Sequence, residues 1–347
     1  MSILILSFSL SLLKGQAFVP GTSYFSSDNY VEYIAGNLPL IISVPHGGEL
    51  EPQNIPDRNC GGCVYVKDSY TQELGREIQQ SIVSKIGCSP HLVVNLLHRK
   101  KLDANRSIGD AADGNPDAEA AWNHYHAFID SAKQILMQDF GKGLFLDFHG
   151  HGHDIQRLEL GYLLSRSELQ QSNTQLNDSI FRNESSIRHL ANNTESPAPF
   201  SQILRGSNSF GALVEDKNYP SVPSDLDPFP IGSEPYFSGG YNTDRYGSAD
   251  GGSIDAIQIE CNQEVRFVET DRKKFADSLA TAILSFLEIH YFPDLLQNPC
   301  NAVSIEEEID FQWELYPNPA QDVLYIRTDL PDFEIRIINN LGQIVGD

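Results

Sequence analysis

Apolar and polar positions follow two different periods along this chain. Apolar runs of strand length occur at residues 40–44, 90–97, 144–146 and 254–261, and residues 160–165 resemble another strand. Leu74, Ile78 and Ile82 recur at every fourth position and predict a helix over residues 68–86. Amphipathic patterns predict two more helices, at residues 118–140 and 272–290. Strands and helices in alternation predict an α/β domain over residues 18–298, with a mixed central sheet flanked by helices.

The remaining segments lack a clear period. Residues 173–193 are polar with helical runs and predict a surface excursion, whereas residues 220–252 are rich in Pro, Gly, Asp and Tyr and predict long loops. Residues 299–311 contain an acidic run and predict a linker. Alternating apolar residues and an Asn-Asn-Leu-Gly turn predict a small all-β module over residues 312–347. This module is too short to have its own core, so we expect it to be incomplete.

The first 17 residues predict a signal peptide. Residues 1–13 form an apolar run too short to span a bilayer, and small residues precede a cleavage point near Ala17. A buried N-terminal strand is the alternative. No other stretch is long and apolar enough to span a membrane, so we expect no membrane span in the mature protein. The formal net charge of -23 argues against nucleic acid and anionic membranes as partners.

Five cysteines fit an exported protein. Cys60 and Cys63 lie in a Pro-, Asn- and Gly-rich loop, where a disulfide between them, or from this loop to Cys88, suits an oxidising compartment. Cys261 lies within an apolar strand and is the candidate for a free thiol.

Two apolar strands end in histidine motifs. Residues 144–146 lead into Asp147 and His149, and residues 40–44 lead through Pro45 to His46 and Glu49 across a Gly-Gly turn. Two histidines and one carboxylate make the usual open catalytic zinc site, whose fourth position is free for water. A histidine-rich surface turn is the alternative for the motif at residues 144–153.

Cations and a carboxylate follow two further strands. Residues 98–106 bring Arg99 and Arg106 to a strand end, and arginine is suited to a substrate carboxylate because its planar fork forms two parallel bonds. A solvated basic loop is the alternative. Glu260 lies near the end of an apolar strand, where it could take the proton of a metal-bound water. An ion pair with an arginine such as Arg266 is the alternative for this carboxylate.

The order of five segments resembles the motifs of N-formylglutamate amidohydrolases: residues 43–48, 99–106, 147–151, 239–241 and 258–260. The resemblance runs over nearly all of residues 18–291. It implies a fold related to zinc carboxypeptidases and one bound zinc ion. The resemblance further implies a role for each of seven residues. The metal ligands are His46, Glu49 and His149, the carbonyl-polarising cation is Arg99, the carboxylate is held by Asn105 and Arg106, and the general base is Glu260.

Several assignments stay open within this resemblance. Glu51, Asp57 or Asp68 could replace Glu49 as the carboxylate ligand. His151 or His153 could replace His149 as a ligand. Arg157 and Glu159 could orient the ligands. A Gly-Gly hinge could close Tyr241 over the substrate. Ordinary loop packing explains the tyrosine segment equally well.

The C-terminal tail resembles a second family. Residues 315–319, 323–326 and 340–345 are similar to the C-terminal sorting domain of proteins exported by the type IX secretion system. This resemblance implies contact with the secretion machinery and a secreted or cell-surface location. The family's final strands are absent from this sequence.

Together these patterns predict a secreted zinc-dependent amidohydrolase. We expect it to cleave an amide, in an N-acyl amino acid or short peptide, near a free carboxylate, by a metal-activated water and a glutamate base. Formylglutamate itself fits less well because the chain is predicted to be exported. A sugar or ester deacylase on the same fold and a non-catalytic surface binding protein are the alternatives.

Overall fold

The computed structural model describes residues 18–298 and Cys300, together with the backbone of four short strands in the C-terminal tail. The chain divides into two compact units, and each is described by itself. The predicted signal peptide and most of the predicted linker lie outside the described residues.

The first unit described is the α/β domain. Its strands are β1 (Ser23–Phe25), β2 (Val31–Ile34), β3 (Leu40–Val44), β4 (His91–Asn95), β5 (Gly143–Gly150), β6 (Leu158–Gly161), β7 (Ser221–Val222) and β8 (Ile254–Cys261). Its helices are α1 (Thr71–Ile86), α2 (Ile108–Ala112), α3 (Pro116–Phe140), α4 (Arg166–Leu169), α5 (Asn173–Leu176), α6 (Ser179–Glu184), α7 (Arg188–Asn193), α8 (Phe200–Arg205), α9 (Phe210–Glu215), α10 (Tyr241–Tyr246) and α11 (Glu269–His290).

The eight strands form one mixed sheet in the order β1-β2-β4-β3-β5-β8-β6-β7. Its centre is parallel, because β3 pairs in parallel with both β4 and β5, and β5 pairs in parallel with β8. β6 runs antiparallel to β8, so its first residues lie at the edge where β8 ends. The carboxyl ends of four central strands therefore meet at one edge, where α/β proteins bind ligands.

The pleat of the sheet divides the buried side chains between two layers. On β5, Leu144, Leu146 and Phe148 join the apolar cluster that contains the buried faces of α1 and α11. Phe145, on the opposite face, joins the cluster formed around α3. Burying one such side chain stabilises the fold by about 1.5–3 kcal/mol, so these two layers supply much of its stability.

Local signals explain where α3 begins and ends. The Asn115 side chain caps the helix by accepting hydrogen bonds from the backbone N–H groups of Asp117 and Ala118, and Pro116 occupies the first helical position. Gly141 ends the helix with a φ of 70°, in the left-handed region that favours glycine. The helix thus begins two residues before the predicted residue 118.

The predicted mixed α/β fold is confirmed, with changes at several boundaries. The predicted strand at residues 160–165 begins earlier and ends at Gly161, because Leu163 turns the chain with a φ of 64°. The predicted loop region 220–252 contains two regular elements, β7 and α10, so that part of the prediction was wrong. α10 has buried residues that pack on the domain despite the Gly- and Pro-rich surroundings.

The cysteines form two disulfides. Cys60 pairs with Cys63, as one of the two alternatives predicted, whereas Cys88 pairs with Cys300 rather than with the 60–63 loop. Cys261 is free and buried, as predicted. Among the residues described, no helix combines the length and apolar character needed to cross a membrane.

The second unit contains the C-terminal tail. β9 (Trp313–Tyr316) pairs antiparallel with β10 (Tyr325–Thr328), and β11 (Ile337–Ile338) pairs antiparallel with β12 (Ile344–Gly346). These two hairpins agree with the predicted all-β character of the tail.

Candidate metal centre and active site

Three buried side chains converge at the carboxyl edge of the sheet. His46 follows β3 after Pro45, Asp68 lies in the loop before α1, and His149 lies near the end of β5. The backbone N–H of Asp68 donates to the carbonyl of His46 at 3.0 Å, and the N–H of Gly150 donates to Asp68 Oδ2 at 3.1 Å. These bonds fix the loop against both strands.

The donor atoms of these residues form a triangle. Nδ1 of His46 lies 3.1 Å from Nδ1 of His149, and each nitrogen lies 3.4 Å from Oδ2 of Asp68. A tetrahedral zinc ion with bonds of about 2.0–2.1 Å holds its ligand atoms roughly 3.3–3.4 Å apart. Two imidazole nitrogens and one carboxylate oxygen are also a common donor set for catalytic zinc. The residues therefore fit a divalent metal of this size.

The other ring nitrogen of each histidine contacts a buried carboxylate. Nε2 of His46 donates to Asp103 Oδ1 at 2.6 Å, and Nε2 of His149 donates to Asp147 Oδ2 at 2.7 Å. A proton held on Nε2 leaves the lone pair of Nδ1 for a metal. Metal-binding histidines are usually oriented in this way, so the contacts support the ligand set independently of the triangle.

The electrostatics of the cluster favour a cation. Burial opposes the charge on His149, but the negative charge of Asp147 and hydrogen bonds that His149 donates to Asp147 and Asp68 raise its pKa to about 10. Burial raises the pKa of Asp68, but hydrogen bonds from both histidines outweigh it and lower that pKa strongly. Asp103 is affected in the same way, because His46 holds its pKa well below the usual range. The position suits a proton on His149 or a divalent metal that replaces this proton.

Glu260 lies beside the candidate ligands. It is paired with His149 across β5 and β8, and Nε2 of Gln258 donates to its Oε1 at 3.1 Å. Burial raises the pKa of Glu260 to about 8. A carboxylate whose pKa lies near neutrality can take a proton from water and pass it on.

Arg99 contacts two acids of the cluster. Its Nε donates to Asp103 Oδ2 at 3.1 Å, and its Nη1 lies 3.4 Å from Asp68 Oδ1. The guanidinium therefore contacts one candidate ligand and the acid that orients another. This contact places a positive charge beside the candidate ligands.

The three predicted substrate-binding residues differ in their surroundings. Arg106 is half-buried and donates to the carbonyl of Asn105 at 2.8 Å, and within residues 18–298 no carboxylate pairs with it. Asn105 is buried, and its Oδ1 accepts the N–H of Asn242 at 2.7 Å. Tyr241 is half-buried and its ring centre lies 6.3 Å from that of Trp122. Arg106 and Tyr241 are thus accessible, whereas Asn105 holds the start of α10.

The Gly239–Gly240 pair permits a close approach of two segments. A Cβ atom at Gly240 would lie 2.6 Å from Nδ2 of Asn105, and one at Gly239 would lie 2.9 Å from Cδ2 of Leu163. The φ of Gly239 is 128°, which other residues rarely adopt. These contacts favour loop packing over the predicted hinge, because Tyr241 begins a helix held by Asn105.

The carboxylate of the candidate ligand set differs from the first expectation. The Glu49 side chain is 72% exposed and pairs with Lys67, so it faces solvent. Glu51 and Asp57 pair with lysines of the loop after β4. The geometry replaces Glu49 by Asp68, because Asp68 is the only one of the four alternatives that reaches both histidines.

The later histidines of the glycine-rich motif have other partners. Nδ1 of His151 accepts the N–H of His153 at 3.1 Å, and its Nε2 donates to the carbonyl of Arg157 at 2.8 Å. With both ring nitrogens in use, His151 does not compete with His149. The Arg157 guanidinium pairs with two acids of the loop before α10, and Glu159 contacts His153, so neither orients a candidate ligand directly.

Asp103 and Asp147 had no predicted role. Each has a signal in the chain, since Asp147 lies two residues before His149 on the same face of β5, and Asp103 lies in the basic segment after β4. Their partners become visible only when the strands are assembled.

A cavity of about 310 Å³ lies apart from these residues. Its lining includes Gln156, Tyr219, Asn262 and Lys274, but none of the candidate ligands or of the predicted site residues.

The C-terminal tail matches a known family. Residues 314–347 match the secretion system C-terminal sorting domain. This match confirms the resemblance predicted from the motifs of the tail. A comparison with curated proteins gives no match to the chain.

Solved structures similar to this chain include N-formylglutamate amidohydrolase from Ralstonia eutropha JMP134, with 14% identity, a TM-score of 0.43, and coverage of 73% of this chain and 92% of that chain. A gene product from Agrobacterium tumefaciens shows 15% identity and a TM-score of 0.45, with coverage of 76% and 98%. Succinylglutamate desuccinylase from Chromobacterium violaceum shows 12% identity and a TM-score of 0.33, with coverage of 78% and 65%. The first of these structures belongs to the family that the motifs of this chain resemble.

Proposed function

We propose that this chain is a secreted, metal-dependent amidohydrolase that cleaves an amide near a free carboxylate, in an N-acyl amino acid or a short peptide. One observation carries the proposal. His46, Asp68 and His149 direct three donor atoms at one point, and each histidine is held by a carboxylate at its other nitrogen. This arrangement is typical of catalytic metal sites and is costly to bury without such a role.

We expect one zinc ion at this position. Two nitrogen donors and one oxygen donor suit zinc, and three protein ligands leave a position open for water or substrate. When bound, such a metal lowers the pKa of water and polarises a carbonyl group.

The side chains around the ligands have separate tasks in the proposed reaction. Glu260 takes a proton from the attacking water, because it is paired with His149 on the neighbouring strand and its raised pKa matches this transfer. Arg99 stabilises the negative charge that develops on the carbonyl oxygen. Asp103 and Asp147 keep the two imidazoles in the orientation that binds the metal.

The substrate carboxylate is assigned to Arg106. Its guanidinium is half-buried and lacks an acidic partner in the described part of the domain, so it can form two parallel bonds to a carboxylate. Tyr241 at the start of α10 would contact the substrate. Asn105 links the two segments, because its carbonyl accepts a hydrogen bond from Arg106 and its Oδ1 accepts the N–H of Asn242.

We further propose the location and the domain order. A signal peptide over residues 1–17 starts export, the catalytic domain covers residues 18–298, an acidic linker covers residues 299–311, and the sorting domain of residues 312–347 contacts the secretion machinery. The match of residues 314–347 supports this order. The two disulfides agree with an oxidising compartment outside the cytoplasm.

The test measures metal content and hydrolysis on the full chain. Elemental mass spectrometry should find about one zinc per chain in the wild type and little in His149→Ala. His151→Ala is the matched control and should retain the metal, because the ring nitrogens of His151 contact only backbone groups. The wild type should then hydrolyse N-acyl amino acids in a panel of amides. A chain that binds no supplied zinc would overturn the proposal.

A further inference from the structure

A third histidine–carboxylate pair lies at the same edge of the sheet. Nδ1 of His153 lies 2.7 Å from Oε1 of Glu159, at the start of β6. Glu159 is buried, and its other oxygen accepts the N–H of Phe237 at 2.8 Å. The His153 ring stacks on the Phe237 ring, with centres 4.9 Å apart and planes 10° apart. The hydrogen bond at Nδ1 and the stacking on Phe237 thus fix the orientation of the His153 ring.

The pair lies next to the candidate base. Glu159 is paired with Glu260 across β6 and β8, and Glu260 is paired with His149 across β8 and β5. Strands in a sheet are about 4.8 Å apart, so the backbone of Glu159 lies roughly 10 Å from that of His149. One edge of the sheet therefore contains, in sequence across the strands, Arg99, His149, Glu260 and the His153–Glu159 pair.

This pair does not form a second metal site. His151 lies close to both residues, but its two ring nitrogens are already bonded to backbone groups. A metal would then have only His153 and Glu159 as ligands, and Glu159 already accepts two hydrogen bonds.

One ring nitrogen of His153 remains available. The side chain is 24% exposed, and within the described residues Nε2 has no hydrogen-bond partner. A histidine that is oriented by a carboxylate at one nitrogen and open at the other is the usual arrangement of a general acid or base. Glu159 would keep a proton on Nδ1 and stabilise the charged imidazolium.

We propose that His153 is a further catalytic residue, which donates a proton from Nε2 to the amine that leaves when the amide is cleaved. This role rests on the proposed hydrolysis at His46, Asp68 and His149. Glu159 is a positioning residue, because it acts through the imidazole.

The proposed step balances in protons and bonds. Water forms a C–O bond to the carbonyl carbon and gives one proton to Glu260. The C–N bond then breaks, its electron pair stays on nitrogen, and that nitrogen takes the proton of His153 Nε2. Glu260 passes its proton to solvent, and solvent returns one to His153. Two groups thus share the tasks that one carboxylate would otherwise perform in turn.

The test compares two leaving groups in full-length, zinc-loaded enzyme. One substrate is an N-acyl amino acid, whose amine must be protonated to leave. The other is the 4-nitrophenyl ester of the same acyl group, whose phenolate leaves without a proton. For His153→Gln, kcat/KM should fall about 100-fold on the amide and change by less than about threefold on the ester. Zinc content and the thermal midpoint should stay at wild-type values.

His124→Gln is the matched control. His124 is a partly exposed histidine on α3, and its Nδ1 lies 3.1 Å from a carboxylate oxygen of Asp28, so its environment resembles that of His153 away from the sheet edge. Its substitution should leave both rates unchanged. Equal losses on the two substrates for His153→Gln, or no loss on either, would overturn the role of His153 while leaving the proposed hydrolysis intact. A zinc-loaded wild type that cleaves no amide would overturn the hydrolysis and this role together.

Discussion

Asp103 contacts no substrate in the proposed reaction, but its hydrogen bond to His46 fixes the orientation of the metal-binding nitrogen of that imidazole. Its carboxylate accepts the Nε2 proton of His46 at 2.6 Å and also holds Arg99. Asp103→Asn keeps the size of the side chain but removes the charge, so we expect the zinc affinity to fall about 10–100-fold. A chelator competition measures this change. Asp28→Asn, which removes the acid beside the surface residue His124, should leave the affinity unchanged.

Arg106 tests the substrate class. Arg106→Glu replaces the free guanidinium by a carboxylate, so an N-acyl amino acid with a free carboxylate should bind at least about 10–100-fold more weakly and show a higher KM. The same substrate with its carboxylate converted to an amide should bind the variant and the wild type equally. A similar loss for both substrates would show that Arg106 supports the fold and does not select the carboxylate.

Residues that end apolar runs, and the arginines that follow β4, could be found from the sequence, whereas the aspartates of the site could not be singled out. His46, His149 and Glu260 each follow or end an apolar run of strand length, so their position at a sheet edge was predictable from the sequence. Asp68 was one of several acids in a long loop. Its selection depends on a backbone bond to His46 that forms only in the folded chain.

At the scale of the element, the alternation of β8 explains why the site lies on one face of the sheet. Ile257, Ile259 and Cys261 point to the layer of α1 and α11 and are apolar or neutral. Gln258 and Glu260 lie between them on the opposite face, and both are buried. The same change from apolar to polar residues occurs on β5. This pattern is visible in the sequence, and it predicts which face of each strand contributes to the site.

The start of α10 depends on a glycine. Gly240→Ala would place a Cβ 2.6 Å from Nδ2 of Asn105, so either Asn105 or α10 must move. We expect the free energy of unfolding to fall by about 1–3 kcal/mol, and activity to fall with it because Tyr241 follows directly. Urea unfolding with a parallel rate assay measures both. Gly109→Ala in α2 is the control, because a Cβ there has open space and should be neutral or mildly stabilising.

The strand β4 has a buried histidine that makes the fold sensitive to acid. Nδ1 of His91 accepts hydrogen bonds from the Tyr33 hydroxyl at 2.7 Å and the N–H of Gly36 at 3.1 Å, and burial lowers the pKa of His91 to about 3. The unfolded chain takes up a proton near pH 6.5, so this contribution to stability is complete above that pH and is lost progressively towards pH 3.

The expected slope for His91 is at most about 1.4 kcal/mol per pH unit within this window. Urea unfolding at pH 7, 6 and 5 should therefore show a smaller loss of stability for His91→Gln than for the wild type. His124→Gln should keep the wild-type slope, because His124 is partly exposed and lies outside the core. Parallel slopes for all three proteins would contradict the assignment.

At the scale of the whole molecule, the sequence predicts the α/β domain and the sorting tail better than it predicts which strands pair within the domain. The change from mixed periods to short alternating runs marks the sorting tail, and the match of residues 314–347 agrees with it. The antiparallel placement of β6 and the short strand β7 depend on pairings between distant segments. Such pairings leave no local pattern, so periodicity alone does not predict them.

The Cys88–Cys300 disulfide is a further connection that the sequence analysis did not predict. It joins the segment before β4 to the segment after α11 across a sequence separation of 212, whereas Cys60–Cys63 spans a separation of 3. In the loop-entropy account, a crosslink stabilises a fold by restricting the unfolded chain, to about 5 kcal/mol for the long loop and about 2 kcal/mol for the short one. Cys88→Ser should therefore lower the unfolding free energy more than Cys60→Ser. Urea unfolding without reductant measures the difference, and reductant should bring both variants close to the reduced wild type. Equal losses without reductant would mean that strain or residual structure in the unfolded chain outweighs loop length.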